Sequence, residues 1–127
     1  MTESKSNTVE KPVESFLPLT PAVFHILLTL ADGEAHGYAV MRDVTRRSGG
    51  TVKLGPGTLY GAISRLLEDG LIVESEERPD PEMDDTRRRY YRLTKLGGRV
   101  LATETERLSD LVRAARSTKV VRKLKPA

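Results

Sequence analysis

The hydrophobic positions of this 127-residue chain change period along its length, and the changes mark its elements. Up to about Pro18 the residues are polar, with charges of both signs and no periodicity, which predicts a disordered arm over 1–17. Thr20-Pro21 then reads as a helix start, with Thr as N-cap and Pro at the first helical position. Val23, Phe24, Ile26, Leu27, Leu28 and Leu30 make that helix apolar around most of its circumference, so it should be central and largely buried. Asp32-Gly33 ends it. A second helix is expected from His36-Gly37 to about Ser48, with Tyr38, Met41 and Val44 on one side and Gly49-Gly50 as the stop. A short extended piece, TVKL, leads to Gly55-Pro56-Gly57. Pro56 can open a third helix and Gly70 can close it.

Beyond Gly70 the pattern becomes extended. Residues 71–76 and 88–93 read as two strands, and the polar segment RPDPEMDD between them makes a long hairpin tip. Thr94 then caps a last helix. Its Leu101, Leu108 and Ala115 recur at i, i+7 and i+14, a narrow seam of the kind that meets another helix, widened by Leu111 and Val112. There are no internal repeats. Helix, helix, helix, hairpin, long helix is the order of a winged helix-turn-helix followed by a dimerisation helix, an α+β fold that is mostly α. The expected divisions are the arm at 1–17, the winged domain at 18–94, the dimerisation helix at 95–118 and a basic tail at 119–127.

The third helix lies in the stretch GPGTLYGAISRLLEDGLI, residues 55–72. Leu59, Ile63, Leu66 and Leu67 fall on one face, while Thr58, Gly61, Ser64, Arg65 and Glu68 fall on others. In a winged helix this element buries one face and offers the other to the DNA major groove. Such a face must be small enough to approach base edges and must carry hydrogen-bonding groups. Arg65 can bond guanine in a bidentate manner, and Ser64 or Thr58 can bond most base edges.

Charge agrees with this reading in its distribution more than in its total. The net charge is only +3, with 31% charged residues. Acidic residues end at Asp110, and Arg113, Arg116, Lys119, Arg122, Lys123 and Lys125 follow without a carboxylate. Arg87, Arg88 and Arg89 are consecutive. Clustered cations are the footprint of a polyanion binder, or else a solvated surface. There is no cysteine, so there is no disulfide and no thiolate zinc site, and two histidines cannot build a structural metal site alone. No nucleophile with a base, no glycine-rich phosphate loop and no cofactor motif is present, which excludes an enzyme. Aromatic residues are 5% with no tryptophan, which argues against a protein built only to bind a small molecule. No apolar run approaches the roughly 20 residues a membrane span needs, and the N-terminus lacks a signal-peptide core, so a cytoplasmic protein with no membrane partner is expected.

Three blocks resemble one family, the PadR-like transcriptional regulators: HGYAV at 36–40, GPGTLYGAISRLLEDGLI at 55–72 and RRRYYRLTKLGGRVL at 87–101. Gly61 stands where the family often has proline. The acidic tip PDPEMDD would repel phosphate, so wing contact with DNA should come from Arg87–Arg89, whose alternation along a strand lets only one or two of them face the backbone. The resemblance implies a two-fold homodimer, of the short-tailed branch in which the last helix packs on the partner subunit. It also implies repression of transcription, with double-stranded DNA as partner and release by a small-molecule effector. It places Tyr60 against a phosphate.

Each candidate keeps a plainer alternative. Arg65 reads a base, contacts phosphate, or pairs with Glu68 or Asp69. Thr58 meets DNA or caps its helix. Tyr60 meets phosphate or seals the core edge. Tyr38 reaches a phosphate from the start of the second helix or packs on Met41. His36 is a loop or cap residue, and His25 is packed or at the dimer interface. The rival function is a winged helix that binds a protein partner instead of DNA; Arg65, the arginine run and the basic tail favour DNA.

Overall fold

A computed structural model describes residues 11–79 and 87–124, with the side chains of 77–79 and 87–88 outside that description. The elements are α1 (Pro21–Ala31), β1 (Ala35–His36), α2 (Gly37–Arg47), α3 (Pro56–Glu68), β2 (Ile72–Pro79), β3 (Arg87–Leu93), α4 (Lys95–Arg116) and α5 (Lys119–Lys123). The winged helix-turn-helix expected from the sequence is present. Local chemistry sets its boundaries. Thr20 Oγ1 accepts from Val23 N at 3.2 Å to start α1, and Thr94 Oγ1 accepts from Gly97 N at 3.0 Å to start α4. At the end of α3 the chain turns through Gly70 at φ 78°, which a side chain would oppose. Leu71 N then donates to Leu66 O at 3.0 Å and Gly70 N to Leu67 O at 3.1 Å, closing the last carbonyls of the helix.

The core forms where α1, α2, α3 and the first half of α4 meet the base of the wing. Ile26, Leu27, Val40, Val44, Leu59 and Val100 are completely buried there. The sheet has the order β1-β3-β2 and is antiparallel throughout. Ile72 opposes Leu93 and Glu74 opposes Tyr91, while Ala35 pairs with Tyr91 on the other side. The register slips between Ser75 and Arg78, where the wing leaves the core. The two-residue strand β1 was not legible in the sequence. Its two residues carry no alternation of their own and are extended because β3 offers them an open edge. No helix among the described residues is long and apolar enough to cross a membrane.

Three segments differ from expectation. Residues 13–16, inside the expected disordered arm, form a 3-10 turn against α4, and Val13, Phe16 and Leu17 pack on the core; the rest of the arm, residues 1–10, lies outside the described residues. Glu104 is 1% exposed on α4 and accepts from Leu19 N at 3.0 Å and from Arg107 Nε at 2.6 Å, tying the turn's exit to the helix. The reason is tertiary: α4 presents an acceptor to a backbone amide that follows the polar arm. Leu101, expected in the seam between subunits, is buried in the chain's own core, because the first turns of α4 lie across that core. Finally, the expected basic tail begins with α5, capped by Thr118 Oγ1 accepting from Val121 N at 3.3 Å; residues 125–127 lie outside the described residues.

Candidate nucleic-acid interface

α3 buries Leu59, Ala62, Ile63 and Leu66 and turns its opposite side to solvent. Gly57, Gly61, Ser64 and Glu68 recur at helical spacing along the middle of that side, and all are exposed except half-buried Gly61. Thr58 and Arg65 flank this stripe on one edge and Tyr60 on the other, and all three are exposed. A methyl at Gly61 would meet only Arg65 Nη1, at 4.0 Å, so the guanidinium lies along the outward face above a position without a side chain. Arg65 forms no ion pair with Glu68 or Asp69; Lys11 Nζ meets Asp69 Oδ1 instead, at 3.4 Å. Thr58 is not a cap, because the N-cap of α3 is Gly55 and no side chain bonds the helix start.

The N-terminus of α2 abuts this surface. The Cβ of an alanine at Gly37 would overlap the hydroxyl end of the Tyr60 ring, so glycine lets that end of Tyr60 approach the first residue of α2 while Tyr60 remains 47% exposed. Tyr38, the next residue, is 48% exposed, and the Arg42 guanidinium sits over its ring at 5.0 Å from the centroid. His36 Nδ1 accepts from Ala39 N at 3.1 Å, which makes His36 the cap of α2, and its ring meets Tyr90 of the wing edge-on at 5.3 Å. Sequence reasoning passed over Arg42. Its spacing of four from Tyr38 on a helix was the available signal.

The remaining arginines of α2 are tied to carboxylates. Asp43 accepts from Thr29 Oγ1 at 2.7 Å, from Arg46 Nη2, and from Arg47 Nε at 3.2 Å, while Arg47 Nη2 also reaches Asp32 at 2.8 Å. The Thr29 hydroxyl first, then Arg47, holds the Asp43 carboxyl below its ordinary range against the opposing effect of burial. This network lines an open polar groove of about 530 Å³ between α1 and α2. On the wing, Arg89 is exposed and bonds Glu74 Oε2 at 3.2 Å. Arg87 and Arg88 hold register positions opposite Pro79 and Arg78 in β3, and their side chains lie outside the described residues, as does the acidic tip at 80–86. Burial pushes the Tyr91 phenol up, and Glu74 and Tyr60 add to the shift.

The expected dimer seam divides. Leu101 is buried and Leu108 half-buried, whereas Leu111, Val112 and Ala115 are exposed, Leu111 at 54%. Val120, Val121 and Leu124 continue the exposed apolar surface beyond α4. His25 is half-buried, edge-on to Phe24 at 6.3 Å, and its Nδ1 is buried without a hydrogen-bond partner among the described residues. No group of three or more His, Cys, Asp or Glu among the described residues could hold a metal.

The comparisons with known proteins agree with this architecture. The model of the transcriptional regulator PadR-like family matches residues 26–103. Transcriptional regulator Rv3488 of Mycobacterium tuberculosis is 38% identical over 89 residues, covering 70% of this chain and 77% of that protein. A transcriptional regulator from Clostridium thermocellum superposes with a TM-score of 0.60 at 20% identity, over 84% of this chain and 96% of its own. Bacillus subtilis PadR in complex with operator DNA superposes with a TM-score of 0.57 at 21% identity, over 68% of this chain and 47% of its own. At these identities the two structures speak for the fold alone; the family match and the mycobacterial relative carry the assignment, to transcriptional regulators and not to enzymes. The chain belongs to the PadR-like family of transcriptional regulators.

Proposed function

We propose that this regulator is a repressor that acts in the cytoplasm and binds a palindromic operator as a homodimer, with α3 in the major groove. The observation that carries the reading is the outward side of α3: a stripe of Gly57, Gly61 and Ser64 that ends at Glu68, with the guanidinium of Arg65, unpaired among the described residues, at its edge. A side chain of that reach over a surface that small can approach a guanine edge. Tyr60, Tyr38 and the wing arginines Arg87–Arg89 flank the helix as backbone contacts. Thr58 and Ser64 supply hydroxyls within the groove. The homodimer is supported by the exposed apolar residues of the second half of α4, with Leu108, Leu111, Val112 and Ala115 meeting the partner's α4. Two copies would place two recognition helices about 34–36 Å apart, in successive major grooves. A small-molecule effector that releases DNA completes the reading by analogy with the family.

Selection of bound sequences from a random DNA pool tests it. A palindrome is expected. Arg65→Ala should then cost about 1–3 kcal/mol on that site and relax preference at one base position per half-site. An equal loss on selected and random duplexes would reduce Arg65 to a phosphate contact, and recovery of no sequence at all would leave a winged helix that serves a protein partner.

A further inference from the structure

The described arginines around α3 differ in what already neutralises them. Arg46 and Arg47 of α2 are held by Asp43 and Asp32, and Arg89 of the wing by Glu74. Arg42 is exposed and has an aromatic ring, not a carboxylate, as its partner among the described residues. A cation stacked on a ring keeps its full charge and its outward N–H donors, while the stack limits the orientations it must give up on binding. Its place is also set. Tyr60 lies against Gly37, so the start of α2 adjoins the solvent side of the recognition helix. Tyr38 follows Gly37, and Arg42 follows Tyr38 by four residues on the same side of α2, extending that surface by one helical turn.

On the reading of this chain as a DNA-binding regulator, we infer that Arg42, positioned by Tyr38, clamps the phosphate backbone beside the groove that α3 enters, and that α2 carries more of the backbone contact than Arg89 of the wing. The start of α2 is favourable to an anion in general, because the first amides of a helix carry partial positive charge. Arg89 contributes less because a phosphate must displace Glu74, which would then face that phosphate as an unpaired like charge.

The test is the salt dependence of binding by the full chain to a selected duplex and to a random one. Arg42→Ala should weaken both by the same factor and reduce the log–log slope by about 0.9 for each phosphate that is no longer neutralised. Arg42→Lys should keep most of the slope. Tyr38→Phe keeps the ring under Arg42 and removes only the hydroxyl, so it should retain the share of the slope that Arg42→Ala loses, whereas Tyr38→Ala should lose part of that share. Arg46→Ala and Arg89→Ala should change the slope less than Arg42→Ala. Circular dichroism at the assay temperature confirms that each variant is folded. An unchanged slope for folded Arg42→Ala, with wild type binding normally, overturns the inference alone. Wild-type protein that binds no duplex even at low salt overturns the DNA-binding reading as well.

Discussion

Gly61 and Arg65 stand one turn apart on the exposed side of α3, and on the proposed function stability and recognition should pull in opposite directions there. Nothing but the Arg65 guanidinium lies within reach of a methyl at position 61. Gly61→Ala should therefore stabilise the fold by about 0.5–1 kcal/mol through helix propensity, read as a higher urea midpoint at unchanged slope. In the proposed docking the same methyl enters the stripe that would face the groove, so affinity for the selected operator should fall. A variant that gains stability and keeps its full affinity would move base reading away from this stripe. Gly37 makes the complementary case. Its missing side chain is filled by Tyr60, so Gly37→Ala should displace that ring. Gly37→Ala and Tyr60→Ala should then weaken DNA binding to a similar degree, and the double variant should bind no more weakly than either alone. Additive effects would show that the two positions act independently.

At the scale of elements, the two halves of α4 have different surroundings. Its first half is part of the core and holds the N-terminal turn through Glu104. Glu104→Ala leaves the half-buried Leu19 amide without this acceptor, a destabilisation of about 1 kcal/mol from that group alone. Its carboxyl is also pH-sensitive in a defined direction. Arg107 first, and the Leu19 amide, hold the Glu104 carboxyl below its ordinary range although burial opposes them. A depressed folded value means that the contribution is fully present above the unfolded glutamate range, about pH 4.3, and is lost as pH falls through the lower folded value. Asp43 on α2 is depressed in the same sense and acts in the same window. Thermal midpoints measured from pH 7 down to pH 3 should decline more shallowly in Glu104→Gln than in wild type. Parallel curves would show that Glu104 titrates alike in the folded and unfolded chain.

The whole molecule is left with uncovered apolar surface. Leu111, Val112, Val120, Val121 and Leu124 are all exposed on the elements that run beyond the core. Burying such side chains contributes about 1.5–3 kcal/mol each, and a two-fold arrangement would bury each of them twice. Leu111→Asp with Val112→Asp should therefore give a folded monomer by sedimentation, with operator affinity reduced because the half-sites no longer reinforce one another. Leu101→Asp should instead unfold the chain, since that residue belongs to the core of one subunit. A Leu111→Asp, Val112→Asp protein that remains a dimer would place the interface elsewhere.

What the sequence determined by itself was whatever depends on local chemistry and on period. Thr20-Pro21, Thr94 and Gly70 mark boundaries because capping and left-handed turns act within a few residues. The winged order of elements follows from the switch between helical and extended patterns, and the small outward face of α3 from helical spacing alone. What only the tertiary structure decided was how partners distant in sequence meet. The edge strand β1 exists because β3 pairs with it, and Glu104 is buried because Leu19 lies 85 residues away and needs an acceptor. Leu101 and Leu111 look alike as members of an apolar seam, yet one is in the core and the other in solvent, because only the first turns of α4 lie across the other helices. Charge behaves in the same way. The sequence supplies the arginines, but whether each is neutralised by an aspartate, a glutamate or nothing charged among the described residues is settled by packing, and that is what separates Arg42 and Arg65 from Arg46, Arg47 and Arg89.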